Sequence, residues 1–188
     1  MKVSTPAVLA LVLAAFPGAV QADPAITDLA VRLADGQILA SCRLDDGLAP
    51  GMEEEIAAGM EVTIEYRVQV CRRRGGFPDS VRAKRRVACT VRHDTLTRQY
   101  TMTRRIDGEI SDTRVTADAA EVRDFLTRLR DVPVMAADRL DPDGRHYLRA
   151  KADLGLVWRF YLIPWPLNTG WARRDLGTPP GTLDAGQP

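Results

Sequence analysis

The sequence predicts an α+β fold: a β-rich antiparallel sheet or sandwich of about seven to eight strands, with two helices packed on one face. Three observations support this prediction. Apolar and polar residues alternate along most of the chain, which is the period of a half-buried strand. Asp-Gly and Gly-Gly pairs separate the alternating runs, as in tight hairpins. Two other segments repeat apolar residues every three or four positions, as an amphipathic helix does.

The first hairpin is predicted around Asp35-Gly36, which lies between two alternating runs. This dipeptide favours a type I′ turn, because both central residues of that turn need a positive φ. A two-residue turn gives three facing pairs: Leu33 with Ile38, Val31 with Ala40, and Leu29 with Cys42. We therefore expect these six apolar residues to share the buried face of the hairpin.

The middle of the chain predicts a short helix followed by a long hairpin. The helix lies between Asp45 and Gly59, with Gly59 as its C-terminal cap. The residues from Met60 to Cys71 alternate so regularly that we expect a strand, with Cys71 on the face that points away from the core. Gly-Gly and Pro in the segment from Arg72 to Ser80 predict the hairpin connection. The returning strand directs three apolar residues inward: Val87, Cys89 and Val91.

The second half of the chain predicts further strands and one longer helix. After Asp94 the alternation resumes from Leu96 to Thr103, and Asp107-Gly108 forms a turn before a short strand. The helix has Asp118 or Thr116 as its N-terminal cap, with Glu121 completing a capping box with Asp118, and Pro133 ends it. Its apolar stripe consists of Val122, Phe125, Leu126 and Leu129. A turn at residues 141–144 leads into a strand and then a final apolar block.

The N-terminus predicts export. Residues 1–22 contain a basic start, a short apolar run, and small residues before a cleavage point after Ala22. The apolar run is shorter than the roughly 20 residues that a membrane-spanning helix needs. We expect a soluble periplasmic protein without a transmembrane segment, in which residues 23–176 form a single β-rich domain and residues 177–188 form a disordered tail.

Three cysteines occur, at positions 42, 71 and 89. An odd number leaves at least one thiol unpaired within the chain. Cys42 and Cys89 are predicted to share the apolar side, so they form the possible disulfide; buried free thiols are the alternative. The spacing contains no CxxC motif, and we expect neither a metal site nor a cofactor.

His93 and Asp94 form the most conspicuous polar pair, within the stretch HDTLTRQY. A general base at His93 would need a nucleophile or a metal, and the chain contains neither GxSxG nor HExxH. We therefore interpret this stretch as a polar strand corner and expect no catalytic residue. The alternative, an enzyme with His93 and His146 as titrating groups, stays open to an activity screen.

Two other groups are candidates for a ligand or partner surface. The basic end of the long hairpin carries Arg72, Arg73, Arg74, Arg85 and Arg86, with Arg82 and Lys84 between them. It could meet anionic lipid head groups, or it could simply be a solvated hairpin edge. The aromatic block contains Trp158, Trp165 and Trp171, which could line an apolar groove or close the core. With Lys2 removed, 25 basic residues balance 25 acidic ones, so net charge predicts no nucleic-acid partner.

A resemblance to a known family lies in three parts of the chain. They are the stretch RRVACTVRHDTLTRQYTM, the helix after Asp118, and the stretch LRAKADLGLVWRFYLIPWPLNTGW. The sequence resembles an exported proteobacterial family, number 4390 among the domains of unknown function. The shared elements are Leu96-Thr97-Arg98-Gln99-Tyr100, read as a strand after a His-containing corner, and Ile163-Pro164-Trp165-Pro166-Leu167. The resemblance implies export, one β-rich domain, no established activity, and a gene near a membrane sensor kinase of nitrogen regulation.

Together these features predict a non-enzymatic binding or interaction module with a partner that the sequence does not name. One alternative is a binder of lipid or another envelope component, which would use an apolar groove near the Trp cluster. Another is an accessory protein of a membrane sensor kinase, which would bind an envelope protein.

Overall fold

The computed structural model describes residues 24–45, 48–49, 51–141, 144–159 and 163–176; side chains are described for these residues except 156–159 and 163–166. The predicted signal peptide and tail therefore lie outside the described residues. The first seven elements, in chain order, are β1 (Ala25–Ala34), β2 (Gln37–Asp45), α1 (Met52–Ala57), β3 (Val62–Arg72), β4 (Ser80–Asp94), β5 (Gln99–Ile106) and β6 (Glu109–Thr116). They are followed by α2 (Ala119–Thr127), β7 (Arg128–Ala136), a 3-10 turn (Ala137–Arg139), β8 (His146–Arg159), β9 (Ile163–Asn168) and β10 (Ala172–Leu176).

The strands form two antiparallel sheets that enclose one core. The small sheet has the order β1-β2-β7, and the large sheet has the order β10-β8-β3-β4-β5-β6, with β9 paired to β8. Apolar residues of both sheets meet in the same buried cluster, for example Cys42 and Leu129 from the small sheet with Ile64 and Met102 from the large one. The predicted α+β class and antiparallel sheets are confirmed, with ten strands in the described ranges instead of seven to eight.

Strand β3 lies in the middle of the large sheet and shows why the chain folds this way. Its alternate apolar residues are at most 4% exposed: Val62, Ile64, Tyr66, Val68 and Val70. The intervening residues are half-buried or exposed. Strand β3 therefore contributes one apolar face to the core and one polar face to the outside, as strict alternation requires.

The first hairpin confirms most of its prediction. Asp35 and Gly36 have φ values of 50° and 69°, and the predicted pairs Leu33–Ile38 and Val31–Ala40 form. A register shift between Thr27 and Ala30 replaces the predicted pairing of Leu29 with Cys42, although both side chains are buried. The predicted burial of Leu33 is wrong: its side chain is 58% exposed, because it lies beside the turn at the end of the small sheet.

Helix α2 is shorter than the apolar stripe predicts. It begins at the predicted cap, where the Asp118 carboxylate accepts from the N–H of Ala120, but it ends at Thr127. The N–H of Asp118 donates to Thr116 instead of Glu121, so the predicted capping box is wrong. Arg128 is already extended, and β7 pairs with β2 from there to Ala136.

The two helices close the sandwich beside β4. Helix α1 buries Met52 and Ile56 and ends at Ala57, and Gly59 two residues later has the φ of 82° that the predicted C-terminal cap requires. Helix α2 contacts strands of both sheets, and Arg123 on α2 forms an ion pair with Glu53 on α1. Neither described α-helix has the length and apolarity of a membrane span.

Candidate functional site

The HDTLTRQY stretch is a hairpin turn between β4 and β5. The Asp94 carboxylate accepts hydrogen bonds from the N–H groups of Leu96 and Thr97 at 2.9 and 3.1 Å, which holds its pKa below the usual range. His93 stacks on Tyr100 with a centroid distance of 4.4 Å, and its Nδ1 lies 3.3 Å from the carbonyl oxygen of Ala57. The expected corner is therefore a tight bend, while the predicted strand at Leu96 is wrong, since that side chain is 93% exposed in the turn.

The three cysteines are buried free thiols. Cys42 and Cys89 belong to the core cluster, as predicted, and burial together with the nearby Cys89 raises the pKa of Cys42 to about 12. Cys71 is also buried, but it lies outside that cluster and beside Tyr147. A thiol with a raised pKa stays protonated near neutral pH, so Cys42 has no nucleophilic character there.

The predicted basic hairpin separates into two places. Arg72, Arg73 and Arg74 lie at the end of β3, while Arg86 lies on the outer face of the large sheet. Arg85 belongs to neither, because its guanidinium binds the Asp107 carboxylate at 2.9 Å and the carbonyl oxygen of Pro133 at 3.2 Å. The basic residues of the predicted hairpin thus belong to two separate basic features of the structure.

The outer face of the large sheet carries three cross-strand rows of polar side chains. The first row is Arg173, Arg149, Gln69 and Lys84. The second is Lys151, Arg67 and Arg86. The third is Asp153, Glu65, Ala88 and Arg105. These rows contain seven cations and only two carboxylates, and we call the seven cations the basic face.

The two carboxylates neutralise only part of the basic face. Glu65 pairs with Arg86 at 3.1 Å and with Arg67 at 3.4 Å, and Asp153 lies 3.9 Å from Arg67. Lys84 and Arg105 have no carboxylate partner among the described residues. Both line a depression of about 420 Å³ in this face. The arrangement therefore offers a broad cationic surface with several unpaired charges.

Trp171 lies at one side of the basic face. The guanidinium of Arg149 is 4.4 Å from its ring centroid, and the ammonium of Lys151 is 5.4 Å away. Arg149 also donates twice to the Gln69 side-chain oxygen, at 2.9 and 2.7 Å. Two cations thus lie against the Trp171 ring, and the apolar groove near the Trp cluster stays a prediction. The side chains of Trp158 and Trp165 lie outside the described residues.

A second basic feature lies where β3 ends and β8 begins. Five arginines, at positions 72, 73, 74, 145 and 173, line an open cleft of about 600 Å³ together with Gly75, Asp79 and Gly144, and we call it the arginine cleft. Tyr147 lies beneath Arg73 and Arg173, whose guanidinium carbons are 5.6 and 5.5 Å from its ring. Its hydroxyl donates to Asp79 at 2.8 Å, and this bond is the main reason that the pKa of Asp79 is lowered.

Most of the basic face was not among the sequence candidates. Of its seven members only Lys84 and Arg86 belonged to the predicted basic hairpin, because Arg149, Lys151 and Arg173 lie on strands far away in the sequence from β3. A signal was nevertheless present. Basic residues alternate with apolar ones in KADL and YRVQV, which places their charges on the outer face once those strands are neighbours.

Residues 21–157 match the family described as Domain of unknown function (DUF4390). The chain belongs to this family. The predicted family is thereby confirmed, and the match covers every strand of the basic face except β10. No curated protein and no solved structure matches this DUF4390 chain significantly. Within its described residues no group of three or more His, Cys, Asp or Glu side chains could hold a metal ion.

Proposed function

We propose that this chain is an exported, non-enzymatic binding module that attaches to anionic phospholipid membranes through the basic face. The single observation that supports it most is the segregation of charge. Seven cations and two carboxylates share one face of a protein whose formal net charge is only +1. Such a local excess creates a potential that overall neutrality conceals.

The spacing of the charges suits a surface of many small anions. Neighbouring strands are about 4.8 Å apart, and residues two positions apart on one strand are about 6.7 Å apart. The cations of the basic face therefore form a two-dimensional array. An anionic bilayer presents phosphates in two dimensions as well, whereas a single polyanionic chain would follow only one row.

The expected binding free energy is large enough for reversible attachment of the basic face to an anionic membrane. Each basic residue near an anionic membrane contributes about 1 kcal/mol. The net excess of five positive charges thus contributes about 5 kcal/mol of binding free energy, which corresponds to a more than thousandfold gain in affinity. Trp171 adds an aromatic side chain beside Arg149 and Lys151, and Trp favours the interface between lipid and water.

Vesicle sedimentation tests this proposal. The protein should bind vesicles of equal parts phosphatidylglycerol and phosphatidylcholine, and it should not bind phosphatidylcholine alone. Binding should weaken when the salt concentration rises above about 0.1 M, where the screening length is about 10 Å. Equal binding to both kinds of vesicle, or none to either, contradicts the proposal.

A matched pair of variants locates the surface. We expect Lys84→Glu with Arg105→Glu to weaken vesicle binding about a hundredfold or more, because it changes four charges on the basic face. Arg43→Glu with Arg139→Glu changes the net charge equally, at exposed positions away from that face. If both double variants lose the same affinity, net charge and not the basic face determines binding.

The proposal includes export, with cleavage after Ala22 and a periplasmic mature chain. The intact mass of the denatured protein, purified from the cell envelope, should correspond to a chain that begins at Asp23. A mass that begins at Met1 contradicts cleavage. Alkylation after unfolding should add three adducts if the cysteines are free, and one if Cys42 and Cys89 form the predicted disulfide.

A further inference from the structure

We infer that the arginine cleft is a binding site for a phosphomonoester dianion. This inference does not depend on the proposed membrane attachment, because the cleft lies at the strand ends and shares only Arg173 with the basic face. The charge left over after the ion pairs of the cleft carries it, and a buried imidazole without a hydrogen-bond partner lies behind the wall of the cleft.

The internal ion pairs of the cleft leave positive charge unbalanced. Arg72 binds Asp141 at 2.8 Å and Arg73 binds Asp175 at 2.7 Å. The third carboxylate, Asp79, accepts from the Tyr147 hydroxyl and from the backbone N–H of Arg74. Five guanidinium groups face three carboxylates, so two positive charges are uncompensated among the described residues.

The arginines without an ion pair are accessible. Arg74, Arg145 and Arg173 are exposed, and none of the three guanidinium groups forms an ion pair within the described part of the chain. A guanidinium presents its N–H groups in a planar fork that matches two oxygens of a phosphate. A ligand that enters the cleft therefore meets such forks without first breaking an existing ion pair.

His146 supplies the second observation. The residue is 5% exposed, and its Nε2 is buried and makes no hydrogen bond. Leaving a buried polar atom unpaired is unfavourable, and such atoms in native proteins are rare enough to require a cause. His146 does not itself line the cleft, but two residues that do, Arg72 and Gly144, lie against it.

Gly144 links the imidazole to the cleft. This glycine lines the cleft, and a Cβ at its position would lie 2.5 Å from Cε1 of His146 and 3.1 Å from Nε of Arg72. Any other residue would therefore push the imidazole or Arg72 away. The His146 ring therefore lies behind the part of the wall that Gly144 and Arg72 form.

The charge balance selects the class of ligand. A phosphomonoester carries close to two negative charges above its second pKa of about 6, which matches the two uncompensated cations. A phosphodiester or a simple carboxylate carries one charge. The cleft is also larger than a phosphate ion, at about 600 Å³, so it can accept the organic group attached to the phosphate.

Calorimetry with the full mature chain tests the site. At pH 7.5 and about 0.15 M salt, where screening is strong, we expect inorganic phosphate and glycerol 3-phosphate to bind, and dimethyl phosphate to bind at least tenfold more weakly. Arg74→Gln with Arg145→Gln should raise the Kd for glycerol 3-phosphate at least tenfold. Arg43→Gln with Arg82→Gln removes the same charge at exposed positions outside the cleft and should leave the Kd unchanged.

Vesicles distinguish a free phosphomonoester from a lipid head group. If the protein prefers phosphatidic acid vesicles to phosphatidylglycerol vesicles, and Arg74→Gln with Arg145→Gln abolishes this preference, the ligand is a lipid head group. If the protein binds glycerol 3-phosphate without that preference, the ligand is a free phosphomonoester. Absence of both, or equal effects of the two double variants, overturns the site. Lys84→Glu with Arg105→Glu should keep the affinity for glycerol 3-phosphate, so membrane attachment and the site fail separately. Urea unfolding of every variant confirms that it is folded.

Discussion

The inner and outer faces of the large sheet come from the same strands but have opposite properties. On β3 the inner residues are at most 4% exposed and apolar, whereas the outer residues between them are polar and include Arg67 of the basic face. Adjacent residues therefore belong to different environments, about 3.3 Å apart along the chain. If the proposed membrane attachment holds, stability depends on the inner positions and binding on the alternate outer ones, so the two should respond to different substitutions.

The largest expected effect tests the inner face of β5. Met102 is fully buried, so Met102→Ala should lower the free energy of unfolding by about 2–5 kcal/mol through lost contacts and a residual cavity. Urea denaturation measures this change as a lower midpoint at an unchanged m value. Vesicle binding by the folded variant should stay the same.

The neighbouring residue is the control for that substitution. Thr101 is exposed on the outer face of β5, and Thr101→Ala should lower the stability by about 1 kcal/mol or less, through β-propensity alone. Similar losses for Met102→Ala and Thr101→Ala would show that the two faces do not differ as the burial indicates.

The second prediction concerns a polar group inside the core. The Tyr66 hydroxyl is buried and donates to the carbonyl oxygen of Leu126 at 2.6 Å, which ties β3 to the last turn of α2. Tyr66→Phe leaves that carbonyl without this donor, and it should cost about 1–3 kcal/mol. Thermal or urea unfolding measures the loss. A change below about 0.5 kcal/mol would mean that another donor or water replaces the hydroxyl.

Much of the inner face could be predicted from the sequence. The alternation at β3, β4 and β8 assigned the buried residues correctly, since burial on one side needs only the period of two. Asp-Gly pairs located two hairpin turns for a local reason: Asp35 and Asp107 adopt positive φ values of 50° and 52°, followed by glycine.

The region after α2 could not be predicted, because a long-range pairing decides it. Leu129 fits the helical stripe three residues after Leu126, so the local period favours a longer helix. In the fold, Leu129 faces Cys42 on β2, and Pro133 is tolerated because β7 is the edge of the small sheet. The pairing of β7 with β2 outweighs the local preference for a helix, and this pairing cannot be predicted from the local sequence pattern.

The basic face escaped prediction for a similar reason. Arg149 and Gln69 are hydrogen-bonded across β8 and β3 although they are 80 residues apart in the chain. Net charge sums over all faces and therefore gives almost zero, while strand order places the cations together. Candidate residues that are chosen because they are close in sequence include Arg85, which forms an ion pair with Asp107. The same choice leaves out Lys151 and Arg105.

A weaker effect on stability is expected at Asp79, in the loop that joins β3 and β4. Hydrogen bonds from Tyr147 and from the N–H of Arg74 lower the pKa of Asp79, so its contribution to stability is present above the ordinary aspartate pKa near 3.8. That contribution disappears as the pH falls through the lowered pKa. Asp79→Asn should remove it at pH 7 and flatten the stability profile below pH 4, as acid titration followed by fluorescence would show. An unchanged profile would place the acid dependence on other carboxylates.

The smallest effect should come from reversing charges on the basic face itself. Lys84 and Arg105 have no carboxylate partner among the described residues, and they lie near other cations of the same face. Replacing both with Glu removes repulsion and offers Arg67 and Arg86 new partners, so the stability should change by less than about 0.5 kcal/mol or rise slightly. The same protein should lose vesicle binding. A loss of more than about 2 kcal/mol would mean that these cations stabilise the sheet, and the division between a stabilising inner face and a binding outer face would then be wrong.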